Sequence, residues 1–509
     1  MERRYESAEE VTEGGSIGQA DETQGRAAVF HSEGEDSRDG QGLVPDSDPA
    51  QNEAGNSVAQ TLSDVATTLK ADPPVSAEGP ESSVFPKQPS TLAEVGLSKA
   101  FLTDLTLKIM HYSGTPSSGQ LMRRLGLGQT MVKQILTVLQ EERLCEVLSQ
   151  SDLFTGNYRY RLSERGTARA SEALERTRYA GPVPVTAEQY AEVIRAQQAQ
   201  RQMPSPARIK AILDEFVLAP EVADAVARAL YSGKTTMFYG PSGNGKTSIL
   251  ELFANNFDGV ALMPYALYVY GQVIRVFDPS VHEAIDNVDG GDAVKDDAKL
   301  DRRWVMVRRP AVVLGSELGP ESLNLAYDPQ ARFYQAPPHV KAQGGVLIVD
   351  DLGRQKTDAQ DLMTRWLISV ERGWDSLSLI TGEKLKIPFD VQLLFATNQP
   401  MEQLADEALL RRILYKVEIP GPGPVEFAEI LRQLCHQRGV QTPDGAIERV
   451  VERLYGQAGD KPKAAYARDF LEVIIEGASF DGSEPVLDDE SFERAFRLMM
   501  SQRSAGEEA

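Results

Sequence analysis

The chain has 509 residues and a formal net charge of −22, with 41% hydrophobic and 25% charged residues. That is the balance of a soluble globular protein with room for about three domains. No run of about 18 apolar residues occurs, which argues against a membrane-spanning helix, and the acidic stretch Met1 to Glu10 lacks the apolar core of a secretory leader. The two cysteines, Cys145 and Cys435, have no metal-ligand spacing. Neither a disulfide framework nor a zinc site is expected, and the expected setting is cytoplasmic. The acidic total argues against wholesale coating of nucleic acid and leaves room for a local basic face.

Residues 1–90 hold 18 acidic and 6 basic side chains, so this stretch supplies about half of the net charge. It is rich in Gly, Ser, Gln, Pro and Ala and nearly devoid of aromatics, so it cannot bury enough apolar surface to offset its chain entropy. A disordered acidic tail over 1–91 is expected, with a transient helix in the apolar strip Val58 to Leu69 as its one local feature.

From Leu92 the pattern changes. Leu97, Phe101, Leu105 and Ile109 recur at helical spacing, and the turn at Ser113 to Pro116 leads into a short helix, Ser118 to Leu125. The Gly126-Leu127-Gly128 turn opens a third helix carrying Met131, Ile135, Leu136 and Leu139. Leu144 to Leu148 and Tyr158 to Leu162 then read as two strands, and Glu164 to Tyr179 as a helix. Three helices followed by a two-stranded wing is the pattern of a winged helix over 92–180, expected to close its own small core. The third helix offers Gln129, Thr130, Lys133, Gln134 and Thr137, with Lys133 its lone cation; Arg123, Arg124, Arg159 and Arg161 extend the face. Residues 96–180 hold 12 basic and 8 acidic side chains, few for a domain held by phosphate contacts. DNA and a docked protein both stay open as partners. The Pro-rich stretch 181–204 reads as a linker.

The chemistry begins at Lys234 to Tyr239, an apolar strand that runs into Gly240-Pro241-Ser242-Gly243-Asn244-Gly245-Lys246-Thr247 and then the helical run Ser248 to Asn255. This is G-x-x-x-x-G-K-[ST] in its strand–loop–helix setting. Glycines let successive N–H groups wrap a triphosphate at a helix N-terminus. Lys246 is then placed for the β and γ phosphates and Thr247 for Mg²⁺. A second apolar strand, Gly345 to Val349, has the continuous hydrophobicity of a strand buried on both faces and ends in Asp350-Asp351. The first carboxylate is suited to Mg²⁺ and the second to orienting an attacking water. A third strand, Gln392 to Ala396, ends in Thr397-Asn398, and such strand ends carry the site in α/β sheets.

Together these motifs resemble the AAA+ ATPases over roughly residues 205–500. The resemblance implies an α/β P-loop core with a parallel sheet (205–421) and a C-terminal α-helical lid (422–509). It implies ATP and Mg²⁺ as ligands, with Gly240 through Thr247 and Ser248 at the nucleotide, Thr247 and Asp350 at the metal, and Asp351 and Asn398 at the attacking water. Leu404 to Ile413 resembles the family's arginine-finger segment, with Arg411 or Arg412 as the finger. Lys463 to Asp469 resembles sensor 2 of the lid, with Arg468 as its cation. A finger acting in trans implies a ring, most simply a hexamer.

About 90 residues separate the P-loop helix from the Asp350 strand, long for one crossover. They contain a strand at Leu267 to Val269, an acidic loop at Asp286 to Asp301 and the aromatic run Phe333-Tyr334-Gln335, which offers Phe333 or Tyr334 to a substrate chain. Leu377 to Ile380 and Lys384 to Ile387 flank Thr381-Gly382-Glu383 as a hairpin, similar to the pre-sensor-1 insertion clade of MoxR-like and enhancer-activator ATPases. The activators' GAFTGA loop is absent. The family's usual Asp-Glu is Asp350-Asp351 here, shortening the second acid by one methylene, and Arg354 follows as a second candidate inter-subunit contact. The expected function is ATP-driven remodelling of a protein partner. The alternatives are a DNA-associated regulatory ATPase that uses the winged helix, and a slow nucleotide switch.

Overall fold

The computed structural model describes residues 85–150, 158–285, 300–457 and 462–500. Residues 1–84 of the expected acidic tail, the Val58 to Leu69 strip among them, and all but the last two residues of the 286–301 loop lie outside them.

The chain is packed from Phe85 onward, earlier than the expected end of the tail at residue 91. Pro86 carbonyl accepts from Asp301 N, and Gln88 bridges Gly126 O and Arg302 N. Helices α1 (Leu92–Val95), α2 (Lys99–Ser113), α3 (Ser118–Leu125) and α4 (Gln129–Glu141) follow, then the antiparallel pair β1 (Cys145–Gln150) and β2 (Tyr158–Leu162), and α5 (Glu164–Arg176). Three of these helices begin at a serine cap: the Ser98, Ser117 and Ser163 side chains accept from the first-turn amides of α2, α3 and α5, while α4 starts at Gly128 with no side-chain cap. Helix α4 turns Met131, Val132, Ile135, Leu136 and Leu139 inward and leaves Gln129, Thr130, Lys133, Gln134 and Thr137 exposed. Both thiols are buried, which pushes each up to about 11.

Two expectations fail beyond this point. Residues 181–204 are not a linker: they form strand β3 (Val185–Thr186) and helix α6 (Ala187–Ala199), which buries Tyr190, Val193 and Ile194. The N-terminal helices do not close a private core either. Their cluster includes Tyr179, Val183, Ala266 and Val273, with Tyr268 and Phe333 packed against it. Prolines at 182 and 184 stiffen this stretch without exposing it, because Val183 N donates to Leu125 O.

Helices α7 (Pro206–Leu213) and α8 (Pro220–Tyr231) lead into β4 (Thr236–Tyr239) and α9 (Lys246–Asn255). Then β5 (Val260–Pro264), β6 (Ala266–Val269), β7 (Gln272–Arg275) and β8 (Trp304–Arg308) build an insertion. It is followed by β9 (Ala311–Leu314), β10 (Ala326–Asp328), β11 (Phe333–Gln335) and α10 (Pro338–Lys341). In the insertion β5 pairs antiparallel with β8, and a mixed sheet runs β10-β11-β7-β6-β3. Tyr334 is buried in this sheet and its hydroxyl accepts from Ile380 N; Phe333 packs on the N-terminal cluster. Tyr334 is thus a core residue and Phe333 is half-buried against the N-terminal core, so this run is not a surface offered to a substrate chain.

The remaining core comprises β12 (Val346–Val349), α11 (Ala359–Arg372), the hairpin β13 (Trp374–Ser378) and β14 (Lys384–Pro388), β15 (Gln392–Thr397), α12 (Met401–Leu404), α13 (Glu407–Leu410) and β16 (Tyr415–Glu418). The all-parallel sheet runs β16-β4-β15-β12-β9. Successive residues of its strands point to opposite faces. Phe238, Ile348 and Leu394 meet α7, α8 and α9, while Met237, Leu347 and Leu393 meet α11, α12 and α13. This double burial accounts for the uninterrupted apolar strands. The hairpin β13–β14 packs Leu377, Leu385 and Ile387 onto the insertion and α6. Helices α14 (Pro424–Arg438), α15 (Ala446–Gln457), α16 (Ala465–Asp481) and α17 (Asp489–Met500) form an α-helical C-terminal unit around Phe427, Leu431, Phe470 and Leu471.

A buried ion pair ties the N-terminal helices to the insertion. Asp301 and Arg303 are 1% and 3% exposed. Arg303 donates to both Asp301 carboxylate oxygens, at 2.7 Å for Nη2–Oδ2, and through Nη1 to Val95 O and Gln189 Oε1. Asp301→Ala leaves that guanidinium buried and uncompensated, a loss of about 3–5 kcal/mol. The expected result is a melting temperature lower by roughly 5–10 °C; an unchanged melt would show that the pair does not hold the two units together.

Candidate functional site

The site lies at the C-terminal ends of β4, β12 and β15. Gly240, Gly243 and Gly245 have φ of +135°, +85° and +83°, a region costly for residues with a Cβ. A Cβ on Gly240 would stand 2.4 Å from the Ile419 carbonyl oxygen of the neighbouring strand end. No atom outside the adjoining chain comes within 4 Å of one on Gly245, the residue that opens α9. The loop is therefore shaped by backbone that only glycine adopts easily, and it presents the N-terminus of a ten-residue helix. Pro241, Ser242, Gly243 and Ser248 are exposed along it, while Asn244 is buried.

Lys246 is 6% exposed, and its Nζ donates to Gly240 O and Pro241 O at 2.9 Å each. Burial lowers its pKa; the Asp351 and Asp350 carboxylates oppose that shift and Lys463 adds to it. The ammonium is thus already directed into the loop and held there by neutral carbonyls.

Thr247 and Asp350, 103 positions apart, meet with Thr247 Oγ1 donating to Asp350 Oδ1 at 2.8 Å. One turn along α9, Glu251 has its pKa raised by burial and then by the Asp350 charge. The Thr247 hydroxyl and the Asp350 carboxylate, in contact, are hard oxygen donors of the kind that suits a divalent cation such as Mg²⁺. Glu251 is missing from the motif reading, because nothing in the pattern extends past Thr247.

Asp351 has φ of +49°, an unusual backbone for a non-glycine residue and one concentrated at functional sites. Its carboxylate accepts from Asn398 Nδ2. Gln355 braces the turn, with Nε2 donating to Asp350 O at 2.7 Å and Asp351 O at 3.2 Å, and Oε1 accepting from Gly353 N. Thr397 Oγ1 donates to Leu352 O. The turn after β12 is thereby cross-tied to the end of β15, and the third strand's polar end sits beside the second's.

The C-terminal helical unit reaches the loop at the start of α16. Ala464 N donates to Asn244 Oδ1 at 3.1 Å and Ala465 N to Gly243 O at 2.8 Å. Lys463 Cδ lies 3.6 Å from where a Cβ on Gly243 would stand. Arg468, the expected sensor-2 cation, instead pairs with its neighbour Asp469, with 59% of its side chain exposed. The structure places Lys463 at the loop and does not place Arg468 there. Neither Arg411 nor Arg412 meets the loop of its own chain. Arg411 pairs with Glu407 and is 73% exposed, and Arg412 pairs with Glu371 across α11. Among the described residues Arg354 is exposed and has no ion pair.

Residues 423–498 match the model of a family described as a domain of unknown function (DUF8689). No curated protein matches the chain. Solved structures that resemble it include NtrX from Brucella abortus in complex with ADP, at 12% identity and TM-score 0.34 over 64% of this chain and 65% of that one. Also similar is the Thermotoga maritima RuvB Holliday junction branch migration motor, at 13% identity and TM-score 0.33 over 56% of this chain and 71% of that one. The chain thus spans just under two thirds of the NtrX structure. Among the described residues no helix is long and apolar enough to cross a membrane.

Proposed function

We infer that the protein binds and hydrolyses ATP as an AAA+-type ATPase. The observation that carries this is the meeting of Thr247 and Asp350 beside a glycine-shaped loop that holds the Lys246 ammonium. In this reading the triphosphate lies against the N-terminus of α9, and Lys246 exchanges its carbonyl partners for phosphate oxygens. Thr247 and Asp350 would hold Mg²⁺, which when bound would neutralise charge on the phosphates. Asp351 and Asn398 orient the water that attacks the γ-phosphorus. ADP leaves with the bridging oxygen's electron pair, and inorganic phosphate carries the water's oxygen. The hydrogen bonds from Ala464 and Ala465 to the loop supply the link by which nucleotide state moves the helical unit. Arg411 or Arg412 completes a neighbour's site in a ring, most simply a hexamer, that acts on a protein partner.

The test is phosphate release from Mg-ATP by the full-length protein. Wild type should turn over, and Asp350→Ala should lose at least about a hundredfold in rate, as expected when electrostatic stabilisation at the phosphates is removed. Equal rates in the two proteins would refute the assignment. A second reading, a DNA-associated regulatory ATPase, is favoured by the polar face of α4 with Lys133 and by the exposed Arg159 on β2. It predicts an ATPase rate stimulated by duplex DNA and suppressed by salt.

A further inference from the structure

We propose that the outer face of the β13–β14 hairpin binds single-stranded nucleic acid, a site separate from the P-loop and from the N-terminal helices. The register pairs Ser376 with Lys386 and Ser378 with Lys384. Side chains alternate along each strand, so Asp375, Leu377, Leu385 and Ile387 are buried against the protein. Trp374, Ser376, Ser378, Lys384 and Lys386 share the other face. Lys386 Nζ lies 4.6 Å and the Arg372 guanidinium 5.4 Å from the centre of the Trp374 ring. The indole thus holds both cations in place and lowers the entropy cost of using them.

The positive charge of this face stands uncompensated in a chain of net charge −22. Among the described residues Arg372, Lys384 and Lys386 have no carboxylate partner. The acids beside them in sequence are engaged elsewhere: Asp375 faces His339 and Arg365, Glu371 pairs with Arg412, and Glu383 accepts from the Thr381 hydroxyl. At the far end Tyr270, in the β6–β7 turn, is 60% exposed with φ of +48°. Its hydroxyl donates to Lys384 O at 3.5 Å, so the ring stands at the Lys384 end of β14. Cations two residues apart on one strand, about 7 Å by strand geometry, suit successive phosphates, and the two serines add hydroxyl donors. An exposed ring at the end of the strip gives an unpaired base a stacking platform. An acidic polypeptide has the charge but gains nothing from that ring, which is why a single strand is the better fit.

The test is fluorescence anisotropy of a labelled oligothymidylate with the full-length protein. Three phosphate contacts predict a log–log salt slope of about −2, a loss of about twentyfold between about 50 and about 200 mM salt. Lys384→Gln with Lys386→Gln should weaken binding about tenfold or more at the lower salt and bring the slope to about −0.7. Tyr270→Asn, which keeps a residue tolerant of positive φ, should weaken binding about tenfold and leave the slope unchanged. No binding at the lower salt would overturn the proposal. So would a loss that follows Lys133→Gln and Arg159→Gln instead of the hairpin pair, or displacement by polyglutamate as effective as displacement by unlabelled oligothymidylate.

Discussion

Lys246→Ala should abolish measurable ATP binding while leaving the fold intact. Among the described residues the ammonium donates only to Gly240 O and Pro241 O, two loop carbonyls that can turn to water once the side chain is gone. Little native stability therefore rests on it, and its lowered pKa shows that burial works against its charge. Toward a triphosphate the position reverses. Charge-assisted hydrogen bonds to two phosphate groups contribute about 1.5–3 kcal/mol each, so their loss weakens affinity by about a hundredfold or more. Titration of a fluorescent ATP analogue checks this, with thermal melting of the nucleotide-free variant as the control. Wild-type affinity in a variant that melts like wild type would remove the loop from the nucleotide site.

The parts of the site that were legible in the sequence are those in which chemistry and local conformation share one contiguous stretch. The run Gly240 to Thr247 needs left-handed backbone at Gly243 and Gly245, and the glycine spacing announces it. Val346 to Val349 and Gln392 to Thr397 read as strands because both faces are buried, and their polar ends follow. What escaped notice depends on packing between distant segments. Gly243 and Asn244 meet Ala464 and Ala465 across some 220 positions, and no local pattern distinguishes Lys463 from Arg468 as the residue brought to the loop. Glu251 is one acid on an amphipathic helix until Asp350 is folded beside it. The stretch 181–204 misleads through composition: its prolines suggest a linker, while β3 has only two residues and α6 buries Tyr190 against the insertion. The insertion sheet is similarly obscure, since strands of three or four residues with mixed pairing carry little periodicity.

The ring reading makes the second large prediction. Arg411 and Arg412 end α13 on the surface, held by Glu407 and Glu371 through exposed ion pairs that are cheap to break. Replacing both with alanine should therefore leave folding and ATP binding unchanged. If one of them reaches a neighbour's γ-phosphate, hydrolysis should fall by about 10³–10⁵-fold, the range seen for arginine fingers. Asp351→Asn should fail differently: its own site loses the carboxylate that accepts from Asn398, yet its arginines stay intact. Mixed together, the two inactive proteins form interfaces that pair an intact Asp351 site with an intact arginine donor, so part of the activity should return. Recovery should grow with total protein concentration, because it requires assembly. The single variants then identify the finger, since only the residue that crosses the interface should reproduce the double loss. Arg411 is the more exposed of the two and is tethered only within its own helical turn, so it is the one expected to do so. A mixture that stays inactive at every ratio, from proteins that remain monomeric with ATP, would rule out a shared site and leave the arginines to their surface pairs with Glu407 and Glu371.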